Sequence, residues 1–386
     1  MNEDASILKA ACDIAPEIAA AAEQTERDRR LPVEIVQTLV RARVFRLCIP
    51  GALDGAETSP ATMVRVIETI ARADGSAGWA VAIGATSGVS SAYLPLPTAR
   101  EIYGPADAVT GGAFAPQGRA VVVDGGYRVS GRWPFASGCE HCTWLMGGCV
   151  ILDGGAMRRL PSGAPDARLM LFPPGDARII DTWTVAGLRG TGSHDIAVED
   201  IFVPHERSFS LVTDPSLHAR PLYAFPVFGL LALGIAAVTL GIARAAIDDL
   251  GELAGAKTPT YSRRVLAERA TVQADVARAE AVLGSARAFV FETIDEAWTH
   301  ARSAGTIDVR ARARLRLAAT HAAMAAARTV DLMYDAGGGT VVYASSPLQR
   351  RFRDVHVAMQ HVLVAPATLE LVGRILLGLE ADTTML

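Results

Sequence analysis

Arg119-Ala-Val-Val-Val123, Asp124-Gly125-Gly126 and Tyr127-Arg-Val-Ser-Gly131-Arg-Trp133 decide the fold. β-branched and aromatic runs on either side of an Asp-Gly-Gly reversal are the signature of a hairpin, because aspartate and glycine tolerate the backbone of a tight turn. Working outward, 143–152, 168–172, 177–182 and 194–203 read as further strands punctuated by Gly and Pro. No helical period separates them, which predicts an antiparallel sheet rather than a βαβ unit.

Before and after this region the period becomes helical. Ile7, Ala11, Ile14 and Ile18 fall on one face, Pro32 opens a second helix reaching about Arg43, and Ser59-Pro60 caps a third over 61–72 with Met63, Val66, Ile67 and Ile70 on one side. Another helix starts near Ser76 and is broken by Pro95 and Pro97. Towards the other end, long helical segments are predicted over 221–254, 263–301, 306–335 and 350–381, separated by Lys257-Thr258-Pro259, 303–305 and Gly337-Gly338-Gly339. Long helices with short links make a four-helix bundle. The prediction is therefore an α+β protein in three parts: an all-α domain over 1–108, an antiparallel β domain over 109–215 and a bundle over 216–386.

Composition narrows the function. The chain has 386 residues, half of them apolar, which is ample for a large core and excludes intrinsic disorder. A net charge of −4 gives no general attraction to nucleic acid or anionic membrane, and neither is expected as a partner. The five cysteines are too few and too clustered for a disulfide framework, and the acidic N-terminal stretch lacks the pattern of a secretory signal. Both point to a cytoplasmic protein. The segment 221–243 runs 23 residues without a charge. Its prolines and glycines and its symmetric flanks, Arg220 and Arg244, favour a helix buried in a bundle over a membrane span.

Several signatures are missing. No G-x-G-x-x-G joins a strand to a helix, and no P-loop, G-x-S-x-G or H-E-x-x-H occurs. Cys139, His141, Cys142 and Cys149 share one turn and one strand, where alternation scatters them over both faces, so buried inert thiols are expected and no metal. Trp133-Pro-Phe135-Ala-Ser137-Gly138 has two readings: a lining for a flat ligand, or a plug at the sheet edge. In the 350–361 patch, Arg353, His356 and Gln360 share a helical face and His361 precedes an apolar run. His361 reads either as a proton-transfer group or as a hydrogen-bonded core histidine. Arg312, Arg314 and Arg316 read as a solvated or inter-subunit face, and Gly337-Gly338-Gly339 as a break whose bare backbone could approach a phosphate.

Two stretches carry a resemblance. Asp181-Thr-Trp183-Thr-Val-Ala-Gly187-Leu-Arg189-Gly-Thr-Gly192-Ser193-His-Asp-Ile-Ala-Val-Glu-Asp200-Ile-Phe-Val203-Pro204 resembles the end of the middle β domain of the acyl-CoA dehydrogenase superfamily. Gly337-Gly338-Gly339 through Pro347-Leu348-Gln349-Arg350-Arg351-Phe352-Arg353-Asp354 is similar to that superfamily's late glycine segment and Arg-Asp helix start. The α–β–α order agrees, and the resemblance covers about residues 10–380.

Within the superfamily, dehydrogenases place a carboxylate base shortly after the Arg-Asp start. Here 359–364 reads Met-Gln-His-Val-Leu-Val, and the Thr-Glu-Pro signature is absent from 111–117. The chain looks closer to the oxygenase components of two-component flavin-dependent monooxygenases, through Gly131–Gly138 and through Arg353-Asp354 with His361. That resemblance implies reduced flavin (FMN or FAD) and O₂ as cofactors, a separate flavin reductase as partner, and a homotetramer. It implies hydroxylation of a small aromatic or heteroatom-containing substrate through a flavin C4a-hydroperoxide. Ser137 would then meet flavin N5 and His361 would lie beside the reacting centre. Trp133, Phe135, Ser137, Gly138, Arg263, Gly338 and Gly339 would hold the cofactor. The alternatives are an acyl-CoA dehydrogenase with a relocated base, for which Glu252 is the candidate, and a non-catalytic flavin- or acyl-CoA-binding homologue.

Overall fold

In the computed structural model, which describes residues 3–303, 305 and 307–386, helices give way to a sheet and the sheet to helices again. Met1, Asn2, Ala304 and Thr306, at the start of the first domain and around the 303–305 link, lie outside the described residues. The first part holds α1 (Glu3–Ala20), α2 (Ala22–Asp28), α3 (Val33–Arg41), α4 (Pro60–Ala73), α5 (Gly75–Ser87) and α6 (Leu96–Tyr103). The Ser59 hydroxyl accepts the Thr62 N–H at 3.2 Å and caps α4, whose Met63, Val66, Ile67 and Ile70 are all buried. The Asp74 carboxylate caps α5 in the same way, through Ala77.

The sheet comprises β1 (Thr110–Val123), β2 (Gly126–Trp133), β3 (Trp144–Asp153), β4 (Ala156–Met157), β5 (Ala167–Phe172), β6 (Arg178–Ile180), β7 (Asp195–Pro204) and β8 (Ser208–Phe209). The hairpin closes as its sequence requires: Val123 faces Gly126 across Asp124-Gly125, with Gly125 at φ +76°. The sheet is mixed, however, not antiparallel throughout. Its order is β6-β7-β2-β1-β3-β5-β8, with β4 paired to β3, and β1 runs parallel to β3 from Thr110↔Trp144 onward. After β2 the chain passes over the beginning of β1 before entering β3, so the two strands point the same way. Residues 134–143 make this crossing, and no helix is needed because it spans a single strand.

The second helical part holds α7 (Pro221–Ala224), α8 (Val227–Ala256), α9 (Ala270–Ser303), α10 (Val309–Gly337), α11 (Pro347–Ala358) and α12 (Ala367–Leu376). Two predicted segments are corrected. Phe225-Pro226 separates α7 from α8, so the central helix starts at Val227. The segment 350–381 is two helices, because Ala365-Pro366 disfavours helical backbone and the chain turns extended at His361, φ −65° and ψ 132°. His361 therefore sits in a break and not on a helical face.

α8 is long and apolar enough to cross a membrane, yet 94% of its most apolar window is buried within this protein. α4 and α5 cover one side and α10 another. One hydrophobic core consequently runs through all three parts, from Ile7 through Trp133 to Val364.

Candidate active site

The 134–143 crossing is held between helices and sheet. Ala136 N–H donates to His194 O at 3.0 Å and Gly138 N–H to Thr191 O at 2.9 Å, so the turn lies on the segment between β6 and β7. Gly138 is at φ +70°, and a Cβ there would come within 2.7 Å of the His141 ring. A Cβ on Gly111, at the start of β1 beneath the turn, would lie 2.8 Å from Cys142 Sγ.

Ser137 is buried and lies in a chain of hydroxyls. Its Oγ accepts the Trp79 Nε1–H at 3.0 Å and lies 2.7 Å from Ser193 Oγ, which lies 2.7 Å from Thr191 Oγ1. Thr191 Oγ1 donates to Leu188 O at 2.9 Å, and Leu188 N–H donates to the buried Asp354 carboxylate at 2.6 Å. Burial pushes the Asp354 carboxyl up to about 7, and the nearby Asp74 and Glu26 charges add to the effect.

Trp79 also meets His361, edge to face, with ring centroids 5.7 Å apart. Burial, with Arg316 nearby, pushes the His361 imidazole down to about 4, so it is neutral near pH 7. Its Nδ1 accepts the Leu363 N–H at 3.3 Å, which puts the proton of the neutral ring on Nε2. The ring thus offers a donor rather than a ready base. Arg316, read in sequence as part of a surface, is buried and braces this segment: it donates to Leu363 O at 3.0 Å and to Met385 O. Arg314 does lie at the surface, paired with Glu292 and Glu296.

The remaining candidates separate. Phe135 is at φ +63° and 68% exposed, its ring held out against Trp183 at a centroid distance of 6.1 Å. Trp133 is a correction: its ring is fully buried inside the sheet, with Nε1–H on Gly148 O at 2.7 Å. Gly118, Gly131 and Gly147 leave the room for it, since a Cβ on each would fall 2.2–2.6 Å from the ring. No face of Trp133 is left for a ligand.

Arg263, Gly338 and Gly339 are exposed at the far end of α8, where Lys257 Nζ donates to Gly337 O at 2.7 Å. Gly75, at the start of α5, meets α8 at Ile242. Lys257 lies roughly 20 Å further along the axis at 1.5 Å per residue. These three residues do not join Ser137 within one chain. Glu252 is exposed towards the same end, so the candidate carboxylate base is not at Ser137 either. Cys48, Cys139 and Cys149 are buried, with thiols pushed up to about 12 by burial, as inert thiols should be.

Sequence reasoning missed Trp79, Thr191 and Ser193. Trp79 had a signal: it is the one large ring in Gly75–Ser87, a helix otherwise made mostly of small residues.

The site is therefore a neutral imidazole and an oriented hydroxyl joined by one indole, with an aromatic ring held open beside them and no carboxylate among the partners of Ser137 or Trp79. A planar heterocycle with one polar edge suits such a place. The comparisons agree. The chain matches the models of the acyl-CoA dehydrogenase N-terminal domain over residues 2–95 and C-terminal domain over 233–366. It is 38% identical to an indole-3-acetate monooxygenase of Pseudomonas putida over 92% of this chain and 89% of that one. To the flavin-dependent monooxygenase oxygenase subunit HsaA of Mycobacterium tuberculosis it is 30% identical over 94% and 92%. The crystal structure of HsaA superposes with a TM-score of 0.91 over 99% of this chain and 100% of that one, at 28% identity. XiaF from Streptomyces, solved with FADH₂ and glycerol, gives 0.90 over 98% and 96%, at 26%. The chain belongs to the acyl-CoA dehydrogenase family and, within it, to the flavin-dependent monooxygenases, as an oxygenase component.

Proposed function

We propose that the protein hydroxylates a small planar aromatic substrate, of the indole-acetate or phenol class, with reduced flavin and O₂. The observation that carries this reading is Trp79, whose N–H holds the Ser137 hydroxyl while its ring meets His361 edge to face. Reduced flavin, when bound, supplies the activation of O₂, and a separate flavin reductase delivers it. Ser137 would hold the polar N5 edge of the flavin. Gly111 and Gly138 let Cys142 and His141 pack against the turn that presents Ser137, and the exposed Phe135 ring would cover the flavin face. His361, neutral with its proton on Nε2, would donate a hydrogen bond to a polar atom of the bound substrate. The buried side chains of Leu363 and Val364 beside the ring limit the access of water to that exchange.

The chain works as a cytoplasmic homotetramer in this reading, and the exposed Arg263, Gly338 and Gly339 hold the flavin phosphate of a neighbouring protomer's site. Indole-3-acetate as an acceptor is suggested by the Pseudomonas relative. The test supplies chemically reduced FMN or FAD, isotopically heavy O₂, and indole-3-acetate or simple phenols. Heavy oxygen in the product is the expected result. Flavin reoxidation without labelled product from any acceptor, together with reduction of bound oxidised flavin by an acyl-CoA, would return the chain to dehydrogenation.

A further inference from the structure

A hydroxyl has one hydrogen to donate and two lone pairs that accept. A carbonyl oxygen donates nothing, so the single hydrogen of Thr191 Oγ1 is the one on Leu188 O, at 2.9 Å. Ser193 Oγ, 2.7 Å away, must then give its own hydrogen to Thr191. Ser137 Oγ, 2.7 Å from Ser193, must in turn give its hydrogen to Ser193. Trp79 Nε1–H, which can only donate, takes one Ser137 lone pair at 3.0 Å. What Ser137 has left is a single lone pair and no hydrogen. Thr191, Ser193 and Ser137 are all buried, so water does not reset the direction.

The direction is anchored outside the site. Leu188 O also receives Trp183 Nε1–H at 3.1 Å and the Thr191 N–H at 3.2 Å, the Thr191 hydroxyl being the nearest of its three donors, and Leu188 N–H is fixed on Asp354 at 2.6 Å. Turning the Leu188 carbonyl away would break the Trp183 and Thr191 hydrogen bonds it accepts, and the Leu188 N–H on Asp354 holds the preceding peptide in place.

We infer that Thr191 and Ser193 are positioning residues that make Ser137 an acceptor toward its ligand, so the site selects a flavin bearing a hydrogen on N5. The inference rests on the flavin reading above. Reduced flavin carries that hydrogen; oxidised flavin presents a lone pair at N5 and meets lone pair against lone pair. The same chain thereby lets oxidised flavin leave for the reductase and retains the reduced form.

The test is equilibrium binding, without turnover. Dissociation constants for oxidised FMN and FAD are measured by fluorescence, and for the reduced forms by anaerobic ultrafiltration. The unaltered protein should bind reduced flavin at least tenfold more tightly, the scale of one directed hydrogen bond. In Thr191→Val nothing accepts from Ser193, the chain reverses, and the ratio should fall about tenfold, with oxidised flavin binding tighter. Ser193→Ala frees the Ser137 hydrogen and should lower the ratio in the same sense. Thr191→Ser should restore it, which a purely structural role for the methyl group would not. An unchanged ratio in both Thr191→Val and Ser193→Ala, or equal weakening of both redox forms, overturns the inference while flavin binding itself stands. Should Thr191→Val not fold, Ser193→Ala decides alone. Failure of the unaltered chain to bind either form overturns the flavin reading and this inference with it.

Discussion

Trp133 and Trp79 lie on opposite sides of one turn and are used in opposite ways. Trp133 is fully buried, its ring room made by three glycines and its N–H closed on a backbone carbonyl. Trp79 places its N–H on a side-chain hydroxyl and packs edge to face with an imidazole. The first region is fixed by shape, which neither pH nor ligand changes. The second is fixed by polar groups from α5, the 188–193 loop and α11, so it responds to both. Removing Trp133 should therefore damage the fold, and altering the seam around Trp79 should damage function.

The largest effect expected is for Trp133→Ala, which leaves a ring-sized void. Chemical denaturation should show a loss of about 3–5 kcal/mol, the same with or without flavin. A loss that flavin restores would give Trp133 a share in the site.

Next is the pH response of the seam. The folded chain holds the Asp354 proton to about pH 7, whereas an unfolded chain releases it near its ordinary value of 3.8. Between these values the folded state binds more protons, so stability falls as pH rises from 4 through 7. From pH 5 to pH 8 the fall should be roughly 2–3 kcal/mol. Asp354→Asn, which still accepts from Leu188, should remove most of it. Denaturation midpoints at the two pH values read the difference, and parallel curves for both proteins would remove Asp354 as the cause.

His361→Ala should lower product formation by about 10²-fold, the scale of a positioned proton-handling group. Flavin affinity and melting temperature should change little. A matching loss of flavin binding would make the ring part of the cofactor's wall instead.

The smallest effect is expected for Trp79→Phe, which keeps an aromatic ring and deletes the N–H. Stability should fall by about 1 kcal/mol, and product formed per flavin oxidised should drop several-fold. A stability loss as large as that of Trp133→Ala would erase the contrast between the two tryptophans.

The hairpin, the cap at Ser59, the buried face of α4 and the three-part order were all legible, because each is a local pattern of period and turn chemistry. The parallel β1–β3 pair was not: strand propensity is blind to which neighbour a strand chooses, and a ten-residue link allows either direction. Ser137 and His361 were named through resemblance, and the fold sets both against Trp79. Trp133 misled because an aromatic beside a turn reads alike whether it lines a pocket or fills a sheet. The glycines that decide the matter, Gly118 and Gly147, lie on two other strands. Arg316 was misread because Arg312, Arg314 and Arg316 alternate evenly in sequence, while only the last faces the carbonyls of the His361 segment.

The crossing of 134–143 over β1 has a consequence for the order in which the chain assembles. The β1–β2 hairpin closes between neighbours and needs nothing else. The hydrogen bond from Trp79 to Ser137 joins residues 58 apart in sequence, and that from Leu188 to Asp354 joins residues 166 apart. Contacts so distant wait until the entropy of closing long loops has been met. The hydroxyl chain should thus form among the last parts of the protein and open among the first. In native-state hydrogen exchange the amides of Gly138 and Leu188 should lose protection well before those of the hairpin.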